Sequence, residues 1–339
     1  MMHLKSFDYF RGIAIILIVS GHSLIGSFKY DHTLIYNFIS GSSTYFVFIS
    51  GFLFQWLMND RYSYQAFLLK KYRNLVKPYL ICSVPALIYM FAWNRMPPVL
   101  GDIGRYEGTL LAFLTGRHMI AYWYIPFITI IFLLAPVHLW FAIQRRAVQL
   151  ALLVLTFVMS LLLHRSIGMV NTIHNVMYFL PIFWFGIFAA LNKEVFVGRT
   201  RYWWIFGLIG LSCLYYHSCV DLIYGSYEKP PFLYVGIDFM LFQKTAFIIS
   251  ALLLTDWLER FELPRLAWLA HISFPMYFLH GYFVFAFYET GFVGFLNNAT
   301  GSSMLASLIS IMLVFSLTIS LVLILKKILG SHSREVIGG

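Results

Sequence analysis

Arg11 and His22 are the residues near the amino terminus whose types and spacing suggest chemistry. They lie eleven positions apart, and at about 100° per residue a helix returns to within about 20° of the same face over that interval. With a rise of about 1.5 Å per residue, His22 stands about 16 Å further along the helix than Arg11. A histidine that is neutral near physiological pH can take a proton from a hydroxyl group. The spacing therefore predicts a general base, His22, on the same helix face as a cation, Arg11.

A second interpretation of this pair needs no chemistry. Arg11 lies three positions after Asp8, so it can act as a charged anchor at the membrane edge that is paired with this carboxylate. His22 can in turn form a hydrogen bond to a neighbouring helix, as polar residues in membrane helices often do.

Another polar stripe near the carboxyl-terminal end favours the chemical interpretation. Ser273, Tyr277 and His280 follow the i, i+4, i+7 pattern of one helix face. Polar groups aligned in a membrane helix face the protein interior or a cavity. Lys244 lies within another apolar segment, where it either extends outward to lipid head groups or lines the same cavity as a contact to a substrate oxygen.

Residues 61–77 alternate basic and apolar side chains with helical spacing. They predict an amphipathic helix at the membrane interface that ends at Pro78. Its cations include Lys70, Lys71 and Arg73. Two compatible interpretations are open for this basic face, namely attraction to anionic lipids and binding of the phosphates of a nucleotide-like donor.

These residues must be positioned by membrane helices, because the composition excludes a soluble protein. Of the 339 residues 60% are apolar and only 11% are charged, whereas an ordinary soluble domain is about 25% charged. We predict an all-α integral membrane fold, with one polytopic domain at residues 1–330 and a short cytoplasmic tail at 331–339. Hydropathy indicates about ten transmembrane helices in one bundle, at residues 10–24, 35–57, 78–93, 119–141, 148–163, 176–191, 203–219, 235–254, 274–287 and 304–325.

The basic residues predict the orientation of this bundle. If the amino terminus is cytoplasmic, 17 of the 24 Lys and Arg residues fall on its side of the membrane and six fall on the other. The positive-inside rule then places both termini in the cytoplasm. The net charge of +10 is thereby explained by topology, so we expect no nucleic-acid partner. The three cysteines lack the spacing of a metal site, and we expect no bound metal.

Five segments, in order along the chain, carry a resemblance to a known family. The chain resembles the acyltransferase-3 family of integral membrane acyltransferases. The first segment, Phe7 to Ala14 followed by His22, is similar to the family's signature of an arginine and a histidine separated by ten residues. The others are IleSerGlyPheLeuPhe at 49–54, AsnLeuValLysProTyrLeu at 74–80, TyrTrpTyr at 122–124 and IleSerPheProMetTyrPheLeuHis at 272–280.

The resemblance implies a multi-pass enzyme of the bacterial cytoplasmic (inner) membrane. Such an enzyme takes an acyl group, usually acetyl, from cytoplasmic acyl-CoA and delivers it to a sugar hydroxyl of an envelope glycan or a lipid-linked precursor. Acetyl-CoA would be a co-substrate, and no cofactor would stay bound. Arg11 and His22 would be the essential pair, and the basic run at Lys70, Lys71 and Arg73 would bind acyl-CoA. Many members carry two arginines in that run, and a lysine lacks the bidentate fork of arginine.

We therefore predict that His22 is the general base for an acceptor hydroxyl and that Arg11 orients the helix of His22 or the donor. Direct transfer and an acyl-histidine intermediate are both compatible with the sequence. Arg11 is too far from His22 to polarise the thioester carbonyl at which His22 would act. Another group must therefore contact the oxyanion or the acceptor. The candidates for substrate contacts are His280, Tyr277, Lys244, Ser50 and Trp123.

The alternative function is a transporter or flippase for an acylated sugar or an acyl donor. Proton-coupled transport usually needs acidic groups within the membrane, but Asp8, Asp238 and Glu289 fall at the ends of the predicted spans. Release of CoA from acetyl-CoA would distinguish the two functions, because only the enzyme cleaves the thioester.

Overall fold

The computed structural model describes residues 5–57, 63–196 and 198–339. These residues form helices and connecting loops, with no β-strand among them, which confirms the predicted all-α class. The α-helices are α1 (Lys5–Ser23), α2 (Phe28–Asp31), α3 (Thr33–Ile39), α4 (Ser43–Trp56), α5 (Tyr64–Lys71), α6 (Lys77–Ala92), α7 (Arg105–Thr115), α8 (Tyr124–Leu133), α9 (Ala135–Ala142), α10 (Arg146–Leu163), α11 (Thr172–Leu191), α12 (Trp203–Tyr215), α13 (Phe239–Leu253), α14 (Thr255–Leu258), α15 (Pro264–Glu289), α16 (Phe292–Thr300), α17 (Ser303–Leu329) and α18 (Ser333–Val336).

Several of these helices are suited to a multi-pass membrane protein. Within the described residues, five helical stretches are long and apolar enough to cross a membrane, and a sixth results if α8 and α9, which meet at a 60° bend, are counted as one span. The five are Tyr64–Ala92, Arg146–Leu163, Thr172–Leu191, Thr200–Val220 and Ser303–Val336. The count of ten spans and the orientation of the termini stay predictions. Helices α1 and α15, which carry Arg11, His22 and His280, are not among the five.

The predicted span at 35–57 is broken in the structure. Helix α3 ends at Ile39 and α4 begins at Ser43. Gly41 lies between them with φ +72°, a left-handed conformation that glycine adopts readily and other residues rarely. Irregular backbone at membrane depth is tolerated where it lines a polar cavity, and residues 40–43 do line one.

The predicted interfacial helix differs from expectation at both ends. Arg61 and Tyr62, with which it was expected to begin, lie outside the described residues. It also does not end at Pro78, because α5 continues through a π-helical turn, Tyr72–Val76, directly into α6. Pro78 has no N–H to donate. It is accommodated because it lies in the first turn of α6, directly after the wider π-helical turn. Helices α5 and α6 together form one 29-residue helical segment.

Helix α15 begins at Pro264, ten residues before the span predicted at 274–287, so Pro275 lies inside it. The apolar run after Pro264 extends the helix by almost three turns. Helix α15 packs closely against α1. At the crossing a Cβ atom on Gly12 would lie 2.6 Å from the Leu266 carbonyl oxygen, so only glycine permits this approach.

The segment predicted as a cytoplasmic tail returns to the bundle. Ile337 is 3% exposed and belongs to the main core cluster. The Cys82 thiol donates a hydrogen bond of 3.4 Å to the Val336 carbonyl, and Lys77 forms an ion pair with Glu335. Residues 333–339 are therefore packed against α6 and the middle of α15, at Phe274 and Pro275.

Candidate active site

Two cavities lie end to end inside the bundle. The first, of about 390 Å³, contains His22 and is called the His22 cavity. The second, of about 420 Å³, contains Arg11 and is called the Arg11 cavity. Both volumes lie within the range of small-molecule sites. The residues that line both cavities, and so form the wall between them, are Phe46, Tyr124 and Tyr277.

The structure brings together the two histidines that the sequence identified separately. Nδ1 of His22, on α1, lies 3.0 Å from Nε2 of His280, on α15. The rings are nearly parallel, with centroids 5.2 Å apart. His280 is fully buried, whereas His22 lines the His22 cavity. The two helices thus form a histidine dyad with one member open to a ligand.

Hydrogen bonding assigns the protons of this dyad when both rings are neutral. Nδ1 of His280 lies 2.9 Å from the Met276 carbonyl oxygen, which can only accept, so this nitrogen carries a proton. Nε2 of His280 must then accept a hydrogen bond from the Nδ1–H of His22. The remaining nitrogen of His22, Nε2, is consequently unprotonated, and it has no hydrogen-bond partner among the described residues.

The wall between the cavities is held by hydroxyl groups. Tyr124 and Ser50 share a hydrogen bond of 3.0 Å between their side-chain oxygens, and Ser50 lines the Arg11 cavity. Tyr277 donates its hydroxyl proton to the carbonyl oxygen of Ala121. Trp123 lines the His22 cavity.

Arg11 lies on the other side of this wall from His22. Its guanidinium donates hydrogen bonds to the Ala270 carbonyl at 3.1 Å and to the Ser273 hydroxyl at 3.3 Å, and it lies 3.7 Å from the Asp8 carboxylate. It lines the Arg11 cavity and not the His22 cavity. Arg11 is therefore placed to meet a ligand from the side opposite to the dyad, as the rise along α1 predicted.

Three further cations line the Arg11 cavity, namely Lys70, Lys71 and Arg334. The ammonium of Lys71 lies 3.9 Å from the centre of the Phe132 ring, which stabilises its charge. Arg73, which the sequence placed with the two lysines, is exposed and does not line this cavity. Arg334 takes part instead, because the carboxyl-terminal segment folds back onto α6.

Lys244 lines neither cavity. It is fully buried, and its ammonium donates to the carbonyl oxygens of Phe38 at 2.5 Å and Asn37 at 3.5 Å. These carbonyls belong to the last turn of α3, where partial negative charge accumulates and cations are stabilising. In this structure Lys244 thus holds the end of α3 next to the break at residues 40–42.

Two arginines, Arg165 and Arg334, are among the cavity residues that sequence reasoning missed. Arg165 lines the His22 cavity and is 4% exposed, yet along the sequence it follows an apolar segment and resembles an ordinary loop cation. Arg334 lies in what reads as a polar tail. The run Ser40-Gly41-Ser42-Ser43, inside a predicted span, was the one available signal that a polar cavity opens there.

Comparison with known families matches residues 4–325 to the acyltransferase-3 family model, which is described as an acyltransferase domain. No curated protein and no solved structure matches the chain. The matched region includes α1 and α15, the helices that form the dyad, and both cavities except for the residues of the carboxyl-terminal segment. Since the match spans nearly all of the 339 residues, the chain belongs to the acyltransferase-3 family and is a membrane acyltransferase.

Proposed function

We propose that the protein transfers an acetyl group from cytoplasmic acetyl-CoA to a sugar hydroxyl of a cell-envelope polysaccharide or a lipid-linked glycan precursor. The donor occupies the Arg11 cavity, which opens to the cytoplasm, and the acceptor occupies the His22 cavity, on the opposite side of the bacterial inner membrane. This orientation follows the distribution of basic residues predicted from the sequence.

One observation carries this proposal, namely that two cavities of different character share a wall beside the histidine dyad. The Arg11 cavity combines the cations Lys70, Lys71 and Arg334 at its lining with the phenylalanines Phe67 and Phe132. Cations suit the phosphates of CoA, and apolar rings suit its pantetheine arm. The His22 cavity is lined by serines, glycines and tyrosines, which suit a sugar.

The dyad supplies the base for direct transfer. Nε2 of His22 takes the proton of the acceptor hydroxyl as the oxygen attacks the thioester carbonyl carbon, so a C–O bond forms and the carbonyl oxygen becomes negative. Collapse of this tetrahedral species breaks the C–S bond. The departing CoA sulfur receives the proton back from His22, which yields the ester, free CoA and a neutral imidazole. His280 positions the ring through its hydrogen bond to Nδ1 of His22.

Tyr124 is the best placed donor to the developing oxyanion. It lines both cavities. When Ser50 donates to its oxygen, the phenol proton is held only by a long hydrogen bond of 3.4 Å to the Phe46 carbonyl, which a substrate oxygen can replace. Tyr277 also lines both cavities, but its hydroxyl is engaged by Ala121. Lys244 is engaged by the end of α3, so we do not assign it to the reaction.

The proposal is tested by mass analysis of envelope glycans from cells with and without the gene, together with CoA release by membranes supplied with acetyl-CoA. We expect acetyl ester on the glycan, and CoA release, only where the protein is present. His22→Ala should abolish both, whereas His271→Ala, a control for an exposed histidine on the same helix as His280, should leave both unchanged. Transport of an intact glycan without CoA release would contradict the proposal.

A further inference from the structure

Arg165 is a buried cation in the wall of the His22 cavity that the proposed chemistry does not use. It is 4% exposed, and it follows the end of α10. One guanidinium nitrogen, Nη2, donates to the Thr44 hydroxyl at 3.2 Å and approaches the Gly41 carbonyl at 3.5 Å. Its Nε has no hydrogen-bond partner among the described residues. The ring faces of Phe179 and Tyr178 lie 5.0 and 5.6 Å from the guanidinium carbon.

No carboxylate of the described residues forms an ion pair with this arginine. Asp238 is close enough to be influenced by its charge, but that carboxylate accepts hydrogen bonds from the Tyr178 hydroxyl at 2.7 Å and the Leu241 N–H at 2.8 Å. Glu228 also lines the cavity, and its carboxylate accepts a hydrogen bond of 2.8 Å from the Gly168 N–H.

Other cations add to the positive charge around this cavity. Lys244 is near enough to Arg165 for the two charges to repel each other. The charge of Arg117 likewise repels a positive charge on His22. Nε of Arg117 also lacks a hydrogen-bond partner among the described residues. Glu228 lies near enough to Arg117, and Asp238 near enough to Arg165, for their charges to interact. Neither carboxylate forms an ion pair with these arginines among the described residues, and a buried guanidinium without a directly paired anion is costly.

The backbone holds Arg165 in place before any ligand arrives. Its N–H donates to the Tyr227 carbonyl at 3.0 Å, and its carbonyl accepts from the Lys229 N–H at 3.0 Å. Gly41 permits the guanidinium to approach the break between α3 and α4, because a Cβ atom there would lie 3.2 Å from Nη2. Nε of Arg165 is itself buried, so the nitrogen left for a ligand in the cavity is Nη1, from which no hydrogen bond runs to the described residues. A preorganised guanidinium of this kind is suited to a carboxylate or a phosphate oxygen.

We propose that the His22 cavity binds an acceptor sugar that carries a carboxylate or a phosphate, and that Arg165 binds this anionic group. The inference rests on the proposed function, since it names the class of acceptor that the same cavity takes. The anion at Arg165 orients the sugar ring, and a hydroxyl group elsewhere on the ring reaches Nε2 of His22. Arg165 is thus a specificity-determining residue that does not take part in proton transfer.

The test is a binding measurement on the purified full-length protein. The melting temperature is measured with methyl glucuronide, glucose 6-phosphate or the neutral methyl glucoside, at matched ionic strength. We expect at least one anionic sugar to raise the melting temperature of the wild type. The neutral sugar should need an at least tenfold higher concentration to reach half of its effect. A carboxylate-only or a phosphate-only response would identify which group the acceptor carries.

Variants assign the effect to the arginine. Arg165→Gln should remove the preference for the anionic sugar, and Arg165→Lys, which keeps the charge but loses the planar fork, should weaken it several-fold. Arg105→Gln, at an exposed arginine that lines neither cavity, is the control and should behave as the wild type. If Arg165→Gln does not fold, Arg165→Lys and the selectivity of the wild type decide the question.

Equal stabilisation by the neutral sugar, no stabilisation by either anionic sugar, or an unchanged preference in the Arg165 variants would overturn the inference. Its failure is distinguishable from failure of the proposed function. His22→Ala should keep the selective shift while losing transfer, so binding without any CoA release in the wild type would refute only the acetyl transfer. CoA release with equal transfer to neutral and anionic sugars would refute only the role of Arg165.

Discussion

The His22 cavity and the Arg11 cavity are built by the same helices and differ in the chemistry of their lining. Helices α1, α4, α8 and α15 contribute residues to both. The described residues that line the Arg11 cavity include four cations and no acidic side chain, and many are phenylalanine, leucine or isoleucine. The His22 cavity has one lining arginine, one glutamate and a cluster of small polar residues at the break in the α3–α4 segment.

This difference suits the proposed binding of two unlike substrates, a CoA donor and a sugar acceptor, in one bundle. Helix α1 presents a different residue type to each cavity, Arg11 to one and His22 to the other. The three aromatic residues of the shared wall keep the cavities distinct but adjacent. Substitutions in one cavity should therefore affect the binding of one substrate. Substitutions at the dyad should affect the rate of the reaction between the two.

The largest effect is expected at the dyad. His22→Ala removes the base and should lower the rate of acetyl transfer by about 10²- to 10⁴-fold, the range typical of general-base catalysis. Acetyl-CoA should still stabilise the variant against heat, because the substitution leaves the Arg11 cavity unchanged. The measurement is CoA release alongside a melting curve with acetyl-CoA. Undiminished transfer would remove His22 from the mechanism.

His280 should have a smaller effect, because it acts through His22. His280→Leu leaves the Nδ1–H of His22 without an acceptor, and we expect a fall in kcat of about 10- to 100-fold, as found for residues that orient a reacting group. His280→Gln keeps an acceptor oxygen and should restore part of the activity. The measurement is kcat as a function of pH for both variants, since a merely structural role would not change the shape of the pH profile or show rescue by glutamine.

A third prediction separates the role of the Arg11 cavity, proposed for the donor, from that of the His22 cavity, proposed for the acceptor. Lys70→Ala and Arg334→Ala should each raise the KM for acetyl-CoA by about two- to fivefold, because exposed charge pairs contribute up to about 1 kcal/mol. Neither should alter the KM for acetyl-pantetheine, which lacks the nucleotide phosphates. Arg73→Ala serves as the matched control, because Arg73 is an exposed cation that does not line the cavity. An equal loss with both donors would mean that these cations do not bind phosphate.

The smallest effect is expected where the carboxyl-terminal segment is tethered. Lys77→Met removes the ion pair with Glu335, whose two side chains are 40% and 38% exposed; an ion pair with this access to solvent contributes little. We expect the KM for acetyl-CoA to change by about twofold or less, through the placement of Arg334, with no change in the binding of a sugar. Kinetics with varied acetyl-CoA measure this, and a change confined to the acceptor would contradict the assignment of the segment to the Arg11 cavity.

The sequence predicted those parts of the site that follow from spacing along a single helix. The i, i+4, i+7 pattern placed Tyr277 and His280 on one face, and the interval from Arg11 to His22 placed those two at different depths. It could not predict that His22 and His280 meet at 3.0 Å, because contact between helices depends on packing, here on Gly12. Each of the ten predicted apolar segments contains helix, but those at 35–57 and 119–141 are each divided between two helices. The number of membrane spans rests on prediction alone.

Other differences have the same physical origin. Lys244 was expected to face lipid head groups or the cavity, and it instead binds the carbonyls that end α3, a partner that exists only because the span breaks at Gly41. The sequence did not indicate that Arg165 is buried, because its burial results from the loop at residues 227–229 that pairs with its backbone. Contacts between segments far apart in sequence thus decide the electrostatics of both cavities.

The central claim, that the donor enters through the Arg11 cavity and meets the acceptor at the shared wall, is tested most directly by photochemical labelling. Acetyl-CoA with an azide on its adenine ring is irradiated with the membrane-embedded protein, and the labelled peptides are identified by mass spectrometry. We predict labels near Phe67 to Asn74 and near Arg334, competed away by unmodified acetyl-CoA. Competed labels at residues 36–43 or 224–228, which belong to the His22 cavity, would contradict the account.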